Sequence, residues 1–116
     1  MKRVLLVEDH PEIRALLSQL LQEAGYEVVD AWTFAEAKTQ LEREPFDLLI
    51  ADVVISGGGQ GTDLVEIARS RGVKYLLVTG HPAQMEALAA QKHPYIAKPF
   101  RGAEFVARVN SIWDGD

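Results

Sequence analysis

A chain of 116 residues is long enough for one domain with one hydrophobic core. Its 47% hydrophobic and 25% charged residues are an ordinary globular balance, and its net charge of −5 argues against a general affinity for nucleic acid or anionic membrane. Without cysteine it has no disulfide or thiolate metal site; no apolar run approaches a membrane span, and "MKRVLLVED" turns acidic too soon for a signal peptide, so the expectation is a soluble cytoplasmic protein.

Short apolar runs alternate with amphipathic stretches. "RVLLV" (3–7) reads as a first strand. "PEIRALLSQLLQEAG" (11–25) puts Ile13, Leu16, Leu17, Leu20, Leu21 and Ala24 on one helical face, with Pro11 in the first turn and Gly25 at the end. "YEVVDA" (26–31) is a second strand. Thr33 and Glu36 form a capping box that opens a helix closed by Pro45. "DLLIA" (47–51) is a third strand, and "SGGGQG" (56–61) a loop. A helix near 62–71 turns Leu64, Ile67 and Ala68 inward until Gly72 stops it. "KYLLV" (74–78) is the fourth strand, and Pro82 opens a helix through about Lys92. "YIA" (95–97) is a short fifth strand. "AEFVARVNSIW" (103–113) closes the pattern with Phe105, Val109 and Ile112 on one face.

Strand and helix thus alternate five times. Continuously apolar strands are buried on both faces, which predicts a doubly wound, five-stranded parallel α/β sheet of (βα)5 type. Ligands of such sheets bind beyond the carboxyl ends of the strands, where the strand order switches.

The residues at those ends carry the chemistry. Glu8 and Asp9 follow the first strand, Asp52 the third, Thr79 the fourth and Lys98 the fifth. Asp52 is awkward inside "DLLIADVV", because an isolated buried carboxylate is costly. At the rim of the sheet, other charges can converge on it. Three carboxylates in one crevice call for a hard cation, Mg²⁺, Mn²⁺ or Ca²⁺. Acids, metal, ammonium and hydroxyl together suit phosphoryl transfer, and a carboxylate can be the nucleophile.

"VEDHPEIR", "DLLIADVV", "LLVTG" and "YIAKPF", in this order and spacing, resemble the receiver domain of bacterial two-component response regulators, a flavodoxin-like fold. The resemblance runs from end to end of the chain and implies a single receiver domain over 1–116 without an output domain. It implies that Asp52 accepts a phosphoryl group from a phosphohistidine of a histidine kinase or histidine phosphotransfer protein. Glu8, Asp9, Asp52 and the Val54 backbone carbonyl would hold Mg²⁺ or Mn²⁺. Thr79 would hydrogen-bond a phosphoryl oxygen, Lys98 would pair with the group, and the N–H groups of Val53 and Gly80 would complete the cradle. Lys98–Pro99 matches a peptide bond usually cis in the family, and Tyr95 matches an aromatic that turns inward when the threonine shifts. The implied role is a signalling phosphoacceptor, not an enzyme, with at most slow self-dephosphorylation and no nucleic-acid or membrane partner.

Three features depart from the commonest family pattern or stand at variable positions. The loop between Asp52 and Gly61 is one residue longer and glycine-rich, so it is expected to be mobile. His81 and Val54 occupy positions that tune the lifetime of the acyl phosphate. Taken singly, each residue has a plainer reading: Asp52 as a turn cap, Glu8–Asp9 as a helix cap, Thr79 and Tyr95 as packing, Lys98 as a solvated charge. His10, His81 and His93 read as surface residues. Trp113 either packs on the sheet or marks a contact surface.

Three other functions are open. A phosphatase resembling the haloacid dehalogenase superfamily would carry a second Asp two residues after the nucleophile, where this chain has Val54. A phosphate-independent interaction module would not need the whole set of Glu8, Asp9, Asp52, Thr79 and Lys98. A flavodoxin-like nucleotide or flavin binder fits the fold, but acids at the strand ends would repel its phosphate.

Overall fold

The computed structural model describes residues 1–114. Strands β1 (Arg3–Val7), β2 (Glu27–Ala31), β3 (Leu48–Asp52), β4 (Lys74–Thr79) and β5 (Tyr95–Ala97) alternate with helices α1 (Pro11–Glu23), α2 (Phe34–Arg43), α3 (Gly61–Ser70), α4 (Pro82–Ala90) and α5 (Gly102–Asp114). All pairings are parallel, in the order β2-β1-β3-β4-β5. This is the doubly wound, flavodoxin-like α/β fold, with its switch point between β1 and β3.

Side chains alternate across a sheet, so each apolar strand feeds two cores. Leu5, Val7, Leu49, Ala51 and Leu77 pack with Ala37 and Leu41 of α2, Leu64, Val65 and Ala68 of α3, and Leu88 of α4. Val4, Leu6, Leu48, Ile50, Leu76 and Val78 pack with Leu17 and Leu21 of α1 and Phe105 and Val109 of α5. The sheet therefore has an α1/α5 side and an α2/α3/α4 side.

The apolar stripe expected on α1 is narrower than six residues. Leu17 and Leu21 are buried, Leu20 is half-buried, and Ile13, Leu16 and Ala24 are exposed, while Arg14 is buried in their stead. Arg14 finds polar partners beneath the helix, described below. Three helix ends also differ from expectation. His10, not Asp9, is the N-cap of α1. Thr33 Oγ1 accepts the Glu36 N–H as expected, but the Glu36 carboxylate reaches back to the Trp32 N–H rather than to Thr33. Helix α4 ends at Ala90, two residues early, because Lys92 takes a left-handed φ of 61° and the His93 N–H turns back to Leu88 O.

Trp113 packs inward. Its indole N–H donates to the Tyr26 hydroxyl at 2.8 Å, its ring stacks on Tyr26, and Lys2 Nζ lies 4.6 Å from its centre. His93 is half-buried rather than a surface residue, because the Tyr75 hydroxyl bonds its Nδ1 at 2.6 Å.

The glycine-rich loop folds against α2: Ser56 O accepts the Phe34 N–H at 2.8 Å, and Val54 bridges to Gln60. Two glycines allow this. A Cβ at Gly59 would lie 2.6 Å from the Phe34 ring, and one at Gly61 would run into the Asp52 carbonyl oxygen. Gly61→Ala should therefore destabilise the fold by about 1–3 kcal/mol. A urea midpoint equal to that of the parent would show that the backbone yields there.

Candidate functional site

Parallel pairing aligns the carboxyl ends of four strands. Val7 lies opposite Ala51, Asp52 opposite Val78 and Thr79 opposite Ala97. Glu8 and Asp9 therefore emerge beside Asp52, and Lys98, following β5, reaches Asp52 from beyond β4. Asp52 and Thr79 are the closing residues of their strands rather than the first residues beyond them. Both are more covered than a rim position suggests, at 9% and 0% exposure.

Asp52 is gripped at both carboxylate oxygens. Lys98 Nζ donates to Oδ2 at 2.6 Å, and the Val54 N–H donates to Oδ1 at 3.0 Å. Lys98 Nζ also lies 3.6 Å from Glu8 Oε1. Glu8 is 2% exposed, and its other oxygen accepts the His10 N–H at 3.1 Å and sits 2.9 Å from His10 Nδ1. Asp9 is more open, its Oδ1 3.3 Å from the same ring nitrogen. Two carboxylates thus share one ammonium. Burial pulls the Lys98 pKa down, but its hydrogen bond to Asp52 and the charges of Asp52 and Glu8 outweigh that and leave it raised. The His10 pKa is also raised, first by its hydrogen bond to Glu8 and then by the Glu8 and Asp9 charges.

Glu8, Asp9 and His10 bring their ligand atoms within 4.8 Å of one another. The carboxylates of Glu8, Asp9 and Asp52 are a hard-oxygen donor set suited to Mg²⁺ or Mn²⁺. Asp9 and Asp52 line a cleft of about 290 Å³ with His10, Val54, Gly80, His81 and Lys98, and Glu8 adjoins it through Lys98.

The expected residues fall in two groups. Asp9, Asp52, Val54, Gly80 and Lys98 line the cleft, Glu8 adjoins it through Lys98, and the Lys98–Pro99 bond is cis. Thr79 and Tyr95 lie on the α4 side of the sheet, where Tyr95 is half-buried against the core. The Thr79 hydroxyl donates to Gln84 Oε1 at 2.8 Å and accepts the His81 N–H at 3.2 Å. One expectation is overturned. The Val53 N–H is committed to Val78 O at 3.0 Å, extending the β3–β4 ladder, and the Val54 N–H faces the Asp52 carboxylate instead.

Sequence reasoning missed Arg14, Gln84 and the role of His10 beside Glu8. Arg14 is buried under the β1–α1 turn: its Nη1 donates to Glu8 O at 3.0 Å, its Nε lies 3.6 Å from Asp30, and its guanidinium stacks 4.6 Å from the Trp32 ring centre. The only signal was an arginine between Ile13 and the apolar run Ala15–Leu17, which amphipathic reading assigns to solvent. His10 adjoins the acid pair in sequence, but adjacency alone does not show which way its ring turns.

The chain belongs to the response regulator receiver domain family, whose model matches residues 4–110. It is similar to the transcriptional activator protein IrlR of Burkholderia pseudomallei, at 33% identity over 113 residues, covering 95% of this chain and 49% of that protein. It is 31% identical over 120 residues to the response regulator receiver protein CpdR of Brucella abortus, covering 97% of each. The chain thus spans about half the length of IrlR and nearly all of CpdR. Among solved structures, response regulator protein TrrA of Thermotoga maritima, in complex with Mg²⁺ and BeF, aligns with a TM-score of 0.84 at 32% identity, over 97% of this chain and 99% of that one. Accepting a phosphoryl group in two-component signalling is the general role of this family. Among the described residues, no helix is long and apolar enough to cross a membrane.

Arg14→Leu keeps the apolar stem of the side chain but removes the donor to Glu8 O. It should cost about 1–3 kcal/mol and move the fluorescence of the stacked Trp32. An unchanged melting curve and emission spectrum would show that the Glu8 turn holds itself.

Proposed function

We propose that Asp52 accepts a phosphoryl group from the phosphohistidine of a histidine kinase or histidine phosphotransfer protein, and that the aspartyl phosphate switches a surface read by a downstream partner. The observation that carries this reading is the Asp52 carboxylate, paired with Lys98 and bordering an open cleft beside two further acids. An Asp52 oxygen forms the new O–P bond as the P–N bond breaks, and the electron pair stays on the imidazole nitrogen. Lys98 offsets the carboxylate before transfer and the phosphoryl charge after it.

Glu8, Asp9, Asp52 and the Val54 carbonyl would hold Mg²⁺ or Mn²⁺. When bound, such an ion neutralises charge on the phosphoryl oxygens. The Val54 and Gly80 N–H groups and the Thr79 hydroxyl would bind those oxygens, and Tyr95 would follow Thr79. TrrA, solved with Mg²⁺ and BeF, supports the metal assignment by similarity. Val54 stands where a phosphatase of the haloacid dehalogenase type would carry its second acid, so the acyl phosphate is kept as a signal rather than turned over.

The donor protein needs a surface beside this cleft. Ile13 and Leu16, 36% and 56% exposed, line an apolar groove of about 490 Å³ with Leu17, Pro99 and Phe100, and Lys98 borders both groove and cleft. That continuity supports seating the phosphohistidine-bearing partner on α1 and the β5–α5 turn.

Incubation with a small phosphodonor and Mg²⁺ should add one hydroxylamine-labile phosphoryl group to the parent protein, read by intact mass, and none to Asp52→Asn or in excess chelator. Equal labelling of Asp52→Asn would remove the central assignment. Leu16→Arg should slow transfer from a protein donor about tenfold and leave labelling by the small donor intact. A parallel loss with both donors would refute the docking role of α1.

A further inference from the structure

We propose that Gln84 is a positioning residue that holds the Thr79 hydroxyl away from the cleft and must release it before that hydroxyl can serve a phosphoryl oxygen on Asp52. The inference rests on the phosphoacceptor reading above and adds the element that opposes it. Thr79 is fully buried, and its hydroxyl points toward α4, where Gln84 Oε1 takes its proton at 2.8 Å. A hydroxyl has one proton and two acceptor lone pairs. The His81 N–H, 3.2 Å away, uses an acceptor site and does not compete for the hydroxyl hydrogen. The donated bond goes either to Gln84 or to the phosphoryl oxygen. Phosphorylation at Asp52 and the amide of Gln84 therefore compete for one hydrogen.

The placement of Gln84 gives that competition a consequence. Gln84 lies in the first turn of α4, which starts at Pro82 and buries only Leu88 fully. Its alanines at 83, 87, 89 and 90 are exposed. The helix thus has little apolar purchase on the sheet, and the Thr79–Gln84 bond ties its first turn to the end of β4. Tyr95 packs on the same side of the sheet. Redirecting the Thr79 hydrogen bond to a phosphoryl oxygen frees α4 at its start, beside the aromatic expected to move.

A neutral hydrogen bond of ordinary net strength biases such an equilibrium about fivefold. The test uses beryllofluoride with Mg²⁺ as the phosphoryl mimic and reads its apparent Kd from the Gly80 amide resonance. It compares the parent, Gln84→Ala, Gln84→Met, Thr79→Val, and Thr79→Val combined with Gln84→Ala. Both Gln84 variants should bind the mimic about fivefold more tightly than the parent, since neither offers an amide oxygen and the methionine sulfur is only a weak acceptor. In the Thr79→Val background, Gln84→Ala should change nothing, because the hydroxyl it restrains is gone. Unchanged or weaker binding by both Gln84 variants overturns the proposal while leaving Asp52 as phosphoacceptor. An equal gain in the Thr79→Val background also overturns it, by showing that Gln84 acts on α4 without the hydroxyl. Failure of the parent itself to bind the mimic would remove the phosphoacceptor reading and this inference together.

Discussion

The Lys98–Asp52 ion pair is the interaction on which the site depends. Glu8 and Asp52 are carboxylates at 2% and 9% exposure, set side by side by the parallel pairing of β1 and β3. Two such charges in a low-dielectric edge repel each other, and removing either from water is costly. One ammonium, 2.6 Å from Asp52 and 3.6 Å from Glu8, answers both. Backbone and imidazole donors take the remaining oxygens: Val54 N–H on Asp52, His10 on Glu8. Every buried side-chain polar atom among the described residues has a hydrogen-bond partner. The acids are thus compensated without being neutralised, a condition under which a cation or a phosphoryl group can still find a use for them.

Strand parity divides the labour at this edge. Asp52 continues the series Leu48, Ile50 toward the α1/α5 side, and Glu8 continues Val4, Leu6 the same way. Thr79 continues Tyr75, Leu77 toward α4. Charge and hydroxyl therefore leave the sheet on opposite sides, and the β4–α4 turn is where they can meet. Chemistry at Asp52 has a short path to α4 through Thr79, and the groove beside Lys98 opens in the other direction, over α1. Reception and readout can occupy different faces of a small domain because a parallel sheet sends alternate residues to different layers.

The fold was legible in the sequence because its strongest signals are local. Short strands, most of them continuously apolar, between amphipathic segments leave little choice but a parallel sheet covered on both sides, and the β1, β5 and α5 boundaries differ from expectation by at most one residue. Where local reading failed, a tertiary partner had decided the outcome. Arg14 looks like the solvent face of α1 until the Glu8 carbonyl, Asp30 and Trp32 are placed beneath it. Leu16 looks like core until α1 is seen to pack through Leu17 and Leu21, with Leu20 beside them.

What the sequence by itself determined was the inventory of the site: two acids after the first strand, an aspartate after the third, a threonine after the fourth and a lysine after the fifth. Residue type and strand order suffice for that, because every parallel strand presents its carboxyl end at one edge. The tertiary structure alone decided how those groups are spent. Whether the Val53 or the Val54 amide faces Asp52 depends on where the β3–β4 ladder stops, and the ladder claims Val53. Whether the Thr79 proton points at the cleft or at α4 depends on an acceptor five residues downstream, and Gln84 claims it. A hydrogen bond has one donor and a direction, and direction is a property of three-dimensional neighbours that one-dimensional spacing does not carry.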